Sequence, residues 1–166
     1  MNSDEYFIRI VNELARESAK NGGDPFSAIL VFNNKIHHKS LDISVISSNP
    51  ILHAELNVIS EYCSKNKIFS LEGFTLYCNV EPCVMCSGAI HWSRISKVVF
   101  GISQKTLNKI SGGRQKPGCE DIINIGRKRI EIIGPILEEE GLKIFCEFKL
   151  IKKEERHKEL FLKKAK

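Results

Sequence analysis

The chain has 166 residues, enough for one domain with a substantial core. Its 42% hydrophobic and 27% charged residues are ordinary for a soluble globular protein, and no apolar run approaches the ~20 residues of a membrane span. The net charge of +5 is compatible with a polyanionic partner without demanding one.

Residues 4–20 carry Phe7, Ile10, Val11, Leu14 and Ser18 at helical spacing, which predicts an amphipathic helix ended by NGGDP. FSAILVF is a continuous apolar run of strand length. Asn33-Asn34 predicts a turn and KIHHK the returning, half-exposed strand. SLDISVISSNP reads as a long loop closed by Pro50. HAELNVISEYCS places Leu56, Ile59 and Cys63 on one helical face. FTLYCNV predicts a strand, CVMCSGAIHW a short buried helix and KVVFGI a further strand. After Gly101, SQKTLNKISGGRQKPG reads as a polar loop, CEDIINIG as a short helix and RIEII as a strand. Residues 142–151 fit a strand or a helix equally. The last stretch, about 152–166, is expected to be a basic C-terminal helix; its acids interleave with its bases, which favours a solvated face over a nucleic-acid arm. Helices alternate with strands, so the expectation is an α/β fold. With no repeat or low-complexity linker, that fold is a single domain over 1–166. The start MNSDEYFIRI lacks the pattern of a secretion signal, so a cytoplasmic location is expected. There, six cysteines serve as thiols or metal ligands rather than disulfides.

The chemistry concentrates in HAE, His53 to Glu55, and EPCVMC, Glu81 to Cys86. Cys83 and Cys86 lie one helical turn apart, so both sulfurs can face one ion from a helix start, where the positive end of the dipole favours thiolates. Pro82 is suited to open that helix. His53 can supply a third ligand. Three protein ligands leave one position open, the arrangement of catalytic zinc. Glu55, in the first turn of the helix His53 begins, can then move protons without binding the metal. A lone C-x-x-C is equally a redox pair or two core cysteines, and a lone H-x-E carries almost no information. The ordered set, H-x-E followed by P-C-x-x-C, is the signature of zinc deaminases.

Together with GDPFSAILV, SGAIHWSRISKVVFG and the spacing from Asn34 to His53, these motifs make the chain resemble the cytidine deaminase-like superfamily. The resemblance is nearest to the branch of guanine deaminases and tRNA adenosine deaminases, and covers the chain from the first helix to about Phe100. It implies a three-layer αβα fold with a mixed five-stranded sheet. It implies one zinc ion per subunit on His53, Cys83 and Cys86, with Glu55 as proton shuttle. It also implies hydrolytic release of ammonia from a small amino-heterocycle, and a homodimer whose neighbour helps close the pocket.

The chain departs from that pattern where substrate is read. Both branches carry an asparagine that hydrogen-bonds the base at the position of Asp42, and an ionised aspartate only accepts. Asp42 therefore favours a substrate edge presenting N–H groups, or it caps a turn; the two readings stand level. ISQKTLN lacks the acid of the tRNA branch at that place, and the His-Thr-Asp segment of the guanine branch is absent. Trp92 and Phe26 match the guanine branch. Either ring could stack on a flat base, although Phe26 reads better as core. In the loop 111–121, Arg114 could meet a phosphate or carboxylate and Glu120 and Asp121 could accept from an amine; the alternative is an ordinary exposed loop. His91 reads as structural, and Cys63, Cys78, Cys119 and Cys146 as buried small hydrophobes.

The function expected is a zinc-dependent aminohydrolase of a small nucleobase, nucleoside or related heterocycle, with a guanine-like purine favoured and no membrane involved. One alternative is a tRNA-specific adenosine deaminase converting A to I at the anticodon, with RNA as partner. The other is a catalytically inactive, zinc-stabilised binding module, against which the intact H-x-E speaks.

Overall fold

A computed structural model describes residues 3–112, 117–126 and 130–148. Helix α1 (Ser3–Lys20) buries Phe7, Ile8, Val11 and Ala15 along one stripe. It leads into β1 (Ser27–Phe32), which turns through Asn33 and Asn34, both at positive φ, into β2 (Lys35–Leu41). Asparagine tolerates that left-handed backbone, so the pair makes the tight hairpin the sequence predicts. Helix α2 (Ala54–Asn66), β3 (Thr75–Val80), α3 (Val84–Ser93) and β4 (Lys97–Ile102) follow. Then come α4 (Gln104–Ser111), α5 (Cys119–Ile123), β5 (Glu131–Ile133) and α6 (Glu138–Glu147).

The five strands form one mixed sheet in the order β2-β1-β3-β4-β5. Strand β1 is antiparallel to both β2 and β3, whereas β3, β4 and β5 run parallel. Alternation along the strands divides the core. Ala28, Leu30, Leu76, Cys78, Val98 and Phe100 pack with Ala54 and Val58 of α2, Ile90 of α3 and Ile123 of α5. Ile29, Val31, Tyr77 and Val99 face α1 instead. Leu107 of α4 joins Ile144 and Phe145 of α6 around Val80 and Ile102. This is the three-layer architecture implied by the resemblance.

Two expectations are corrected and one open reading is decided. The polar stretch after Gly101 is not all loop, because Gln104–Ser111 is a helix that buries Leu107. The segment read as strand or helix is helical as far as it is described, since α6 turns Gly141, Ile144 and Phe145 inward together. A methyl on Gly141 would stand 2.9 Å from Ile102 Cγ1, so glycine is what lets α6 approach the sheet. Helix α3 is only partly buried, with Val84 and Trp92 exposed. The basic stretch 152–166 lies outside the described residues. Among the described residues no helix is long and apolar enough to cross a membrane.

Candidate metal centre

Two helix starts meet at one end of the sheet. His53 is the N-cap of α2 and Cys83 the N-cap of α3, both in extended backbone, while Cys86 sits in the first turn of α3. Pro82 therefore stands one residue before the cap rather than inside the helix. The loop that delivers His53 is fixed at both ends by one side chain. Asn57 donates from Nδ2 to Leu41 O at 2.9 Å and to Leu52 O at 3.1 Å, while Ile43 N donates to Leu52 O at 3.1 Å.

The three side chains form a nearly equilateral triangle. Cys83 Sγ is 3.6 Å from His53 Nδ1 and 3.5 Å from Cys86 Sγ, and Cys86 Sγ is 3.7 Å from His53 Nδ1. Tetrahedral ligands about 2.0–2.3 Å from zinc stand about 3.3–3.8 Å from one another, so the donors fit that ion without rearrangement. Among the described residues this is the group of histidine, cysteine and acid side chains able to hold a metal.

Electrostatics point the same way. Burial pushes the Glu55 carboxyl up to about 7; the Cys83 thiolate and Asp42 push with it, against the helix amide and His53. His53 is raised above its usual range by its hydrogen bond to Cys83, against desolvation and with help from Asp42. The cysteines share a proton: Cys83 is drawn down to about 3 by the hydrogen bond from Cys86, and Cys86 is pushed up by that bond and by burial. Two carboxyls and two thiols thus crowd one half-buried spot, and a divalent cation is what such a donor set lacks. Glu55 is 8% exposed, and its charge is felt by His53 and by both cysteines, so it stands beside the triangle but outside it.

The remaining predicted residues are placed as follows. Asp42 is 2% exposed, and its Oδ1 accepts from Ser44 N at 2.9 Å and Ser44 Oγ at 2.6 Å. The turn-capping reading is thus realised. Asp42 is also among the charges that act on His53 and Glu55, so it stands beside the site. Phe26 packs on Phe145 at a centroid distance of 5.7 Å in the α4–α6 cluster, which makes it core. Trp92 is 71% exposed, edge-on to His91 in the last turn of α3, at the opposite end of that helix from Cys83. Glu120 and Asp121 are exposed in the first turn of α5, where acids complement the helix dipole. Arg114 lies outside the described residues. His91 Nδ1 is 2.8 Å from Ile123 O and ties α3 to α5, the structural role expected of it. Of the other cysteines, Cys78 and Cys119 are buried, Cys63 is half-buried and Cys146 is exposed, so the buried reading is corrected for the last. Asn57 and Ser44 were not singled out from the sequence. A polar residue one turn after His53 on an otherwise buried face was the available signal for Asn57.

Comparison with known proteins gives the site its setting. Residues 1–102 match the family described as the cytidine and deoxycytidylate deaminase zinc-binding region. The tRNA-specific adenosine deaminase of Buchnera aphidicola subsp. Baizongia pistaciae is 37% identical over 148 residues, 88% of each chain. That of Bacillus subtilis is 33% identical over 146 residues, 84% of each chain. A solved guanine deaminase from Nitrosomonas europaea superposes with a TM-score of 0.76 at 21% identity, covering 87% of this chain and 83% of that one, and so attests the shared fold. The chain belongs to the cytidine and deoxycytidylate deaminase family and is a zinc-dependent deaminase, a hydrolase acting on amino-heterocycles.

Proposed function

We propose that this deaminase acts on adenosine in RNA, with zinc held by His53, Cys83 and Cys86 and with Glu55 carrying the protons. The observation that supports the chemistry is the triangle, with Glu55 buried beside it in the first turn of the helix that His53 caps. When bound there, zinc would supply the Lewis acidity that makes water a nucleophile near neutral pH. Glu55 takes one proton from the attacking water to the ring nitrogen beside the carbon under attack, and then the second, from the hydroxyl so formed, to the departing amine. Water enters, ammonia leaves, and adenosine becomes inosine. Buried beside the ligands, Glu55 keeps bulk water from competing for those transfers.

The RNA substrate is supported by the two full-length relatives, both tRNA-specific adenosine deaminases. The net charge of +5 agrees with a polyanion. The sequence alone favoured a guanine-like free base, and one observation keeps that second reading. Asp42 is a buried, acceptor-only carboxylate at the site. Free guanine offers ring N–H donors, whereas adenine linked through its ribose offers only the amine that leaves. A single domain over 1–166 working as a homodimer completes the proposal, and light scattering on the eluting protein tests the dimer.

The experiment gives zinc-loaded protein an anticodon stem-loop RNA with adenosine at the first anticodon position and, separately, free guanine, and follows inosine and ammonia. Inosine formation that disappears in Glu55→Gln supports the main reading. Ammonia from guanine alone establishes the second and ends the first. Near-normal turnover in the Glu55→Gln variant removes the role given to Glu55.

A further inference from the structure

The loop leading from β3 to the zinc cysteines begins with Glu81, and every polar atom of this residue is engaged. Its amide donates to Ile102 O at 2.7 Å, and its carbonyl accepts from Gln104 Nε2 at 2.8 Å. Its carboxylate is divided between two helices. Oε2 accepts from Gln104 N, in the first turn of α4, at 2.9 Å. Oε1 accepts from Cys119 N, in the first turn of α5, also at 2.9 Å. Gln104 and Cys119 are 15 positions apart in the chain, yet their amides meet the two oxygens of one side chain. The starts of α4 and α5 therefore meet at a residue two positions before Cys83. A carboxylate at a helix start satisfies an orphan amide and complements the dipole, so each bond is of the stronger, charge-assisted kind. Glu138 holds the outer side of α4 through Ser103 N at 2.9 Å.

We infer that Glu81 is a positioning residue for deamination: it fixes the starts of α4 and α5 beside the zinc cysteines, so that substrate fit depends on it while metal binding does not. The inference rests on the deaminase reading of the site. It differs from a stability role in what it predicts for kinetics. Helix starts held out of place cost substrate affinity, whereas the His53, Cys83 and Cys86 donors and Glu55 stay where α2 and α3 put them.

The test uses the full-length, zinc-loaded chain and its Glu81→Gln and Glu81→Ala variants. The first retains one acceptor and turns an N–H donor toward the second helix amide; the second removes both acceptors and serves as the limit if it folds. Zinc content, hydrogen exchange at Gln104 and Cys119, and steady-state kinetics are measured on the anticodon stem-loop RNA. The expected result is unchanged zinc, faster exchange at those two amides, and KM raised about tenfold or more with kcat within about threefold, the scale of losing a charge-assisted hydrogen bond. Loss of zinc, a fall in kcat at constant KM, or unaltered kinetics overturns the inference. If wild type leaves the RNA untouched but deaminates guanine, the RNA reading falls by itself, and the same KM-against-kcat comparison on guanine decides the role of Glu81.

Discussion

Replacing Asn57 by alanine tests how the zinc histidine is delivered. Asn57 is 3% exposed, and its side-chain amide spans the two ends of the loop before His53, through Leu41 O and Leu52 O. Alanine removes both bonds. Leu52 O keeps Ile43 N as a partner, so the loss is closer to two ordinary hydrogen bonds than to an orphaned buried acceptor. At about 1 kcal/mol per bond the variant should be destabilised by about 2 kcal/mol. For a chain of this size that lowers Tm by about 4–8 °C. Asn57→Asp should be worse than alanine, because an ionised carboxylate would face two carbonyl oxygens. Thermal unfolding followed by circular dichroism, with zinc-competition titration beside it, measures both effects, and weaker zinc binding should accompany the lower Tm. An alanine variant within about 0.5 kcal/mol of wild type, or an aspartate variant as stable as alanine, refutes the idea that this amide closes the loop.

Further outcomes follow from the geometry. Glu55→Gln should retain zinc and lose about 10²–10⁴-fold in turnover, measured by ammonia release. Cys86→Ser should lower zinc content in metal analysis after dialysis against a mild chelator, whereas Cys63→Ser should leave it unchanged. A methyl on Gly101 would stand 2.8 Å from Asn79 O, so Gly101→Ala should destabilise by about 1–3 kcal/mol in urea unfolding. Burial opposes ionisation of Glu138, but hydrogen bonds from Ser103 N, Ser103 Oγ and Thr106 win and hold its carboxyl below the usual range. Its contribution to stability is therefore present above the unfolded carboxylate pKa and is lost as pH falls through the lower, folded value. The Tm gap between wild type and Glu138→Gln should narrow as pH falls below about 4.3, the unfolded value.

The metal centre was legible because its ligands obey local rules. One helical turn separates Cys83 from Cys86, and an N-cap position frees His53 to point away from its own helix. The strands were legible because apolar runs of strand length stood between turn residues. Helix α4 was missed because it buries little more than Leu107, although Ser103 as a cap bonded by Thr106 N and Gly112 in the left-handed region were both written in the sequence. The segment of α6 was ambiguous because Leu142, Ile144, Cys146 and Phe148 alternate like a strand. Three glutamates at its start, and a sheet surface at Ile102 that admits only Gly141, resolve it as a helix. Asp42 and Glu81 were out of reach for a different reason. What each does depends on partners, Ser44 in one case and two helix amides in the other, whose meeting is a property of the fold.

The triangle also changes what the metal is worth to the chain outside catalysis. Zinc held by His53, Cys83 and Cys86, as proposed, would join points 30 residues apart and close a loop that takes in all of α2 and β3. A cross-link of that span restricts the unfolded chain by about 3–4 kcal/mol on the scale known for disulfides. Only the folded chain gathers the three donors, so bound metal shifts the folding equilibrium by mass action. Chains that miss their metal open more often and are cleared by proteases first. Metal held there would then support the fold as well as the chemistry, and its removal would lower Tm as well as turnover.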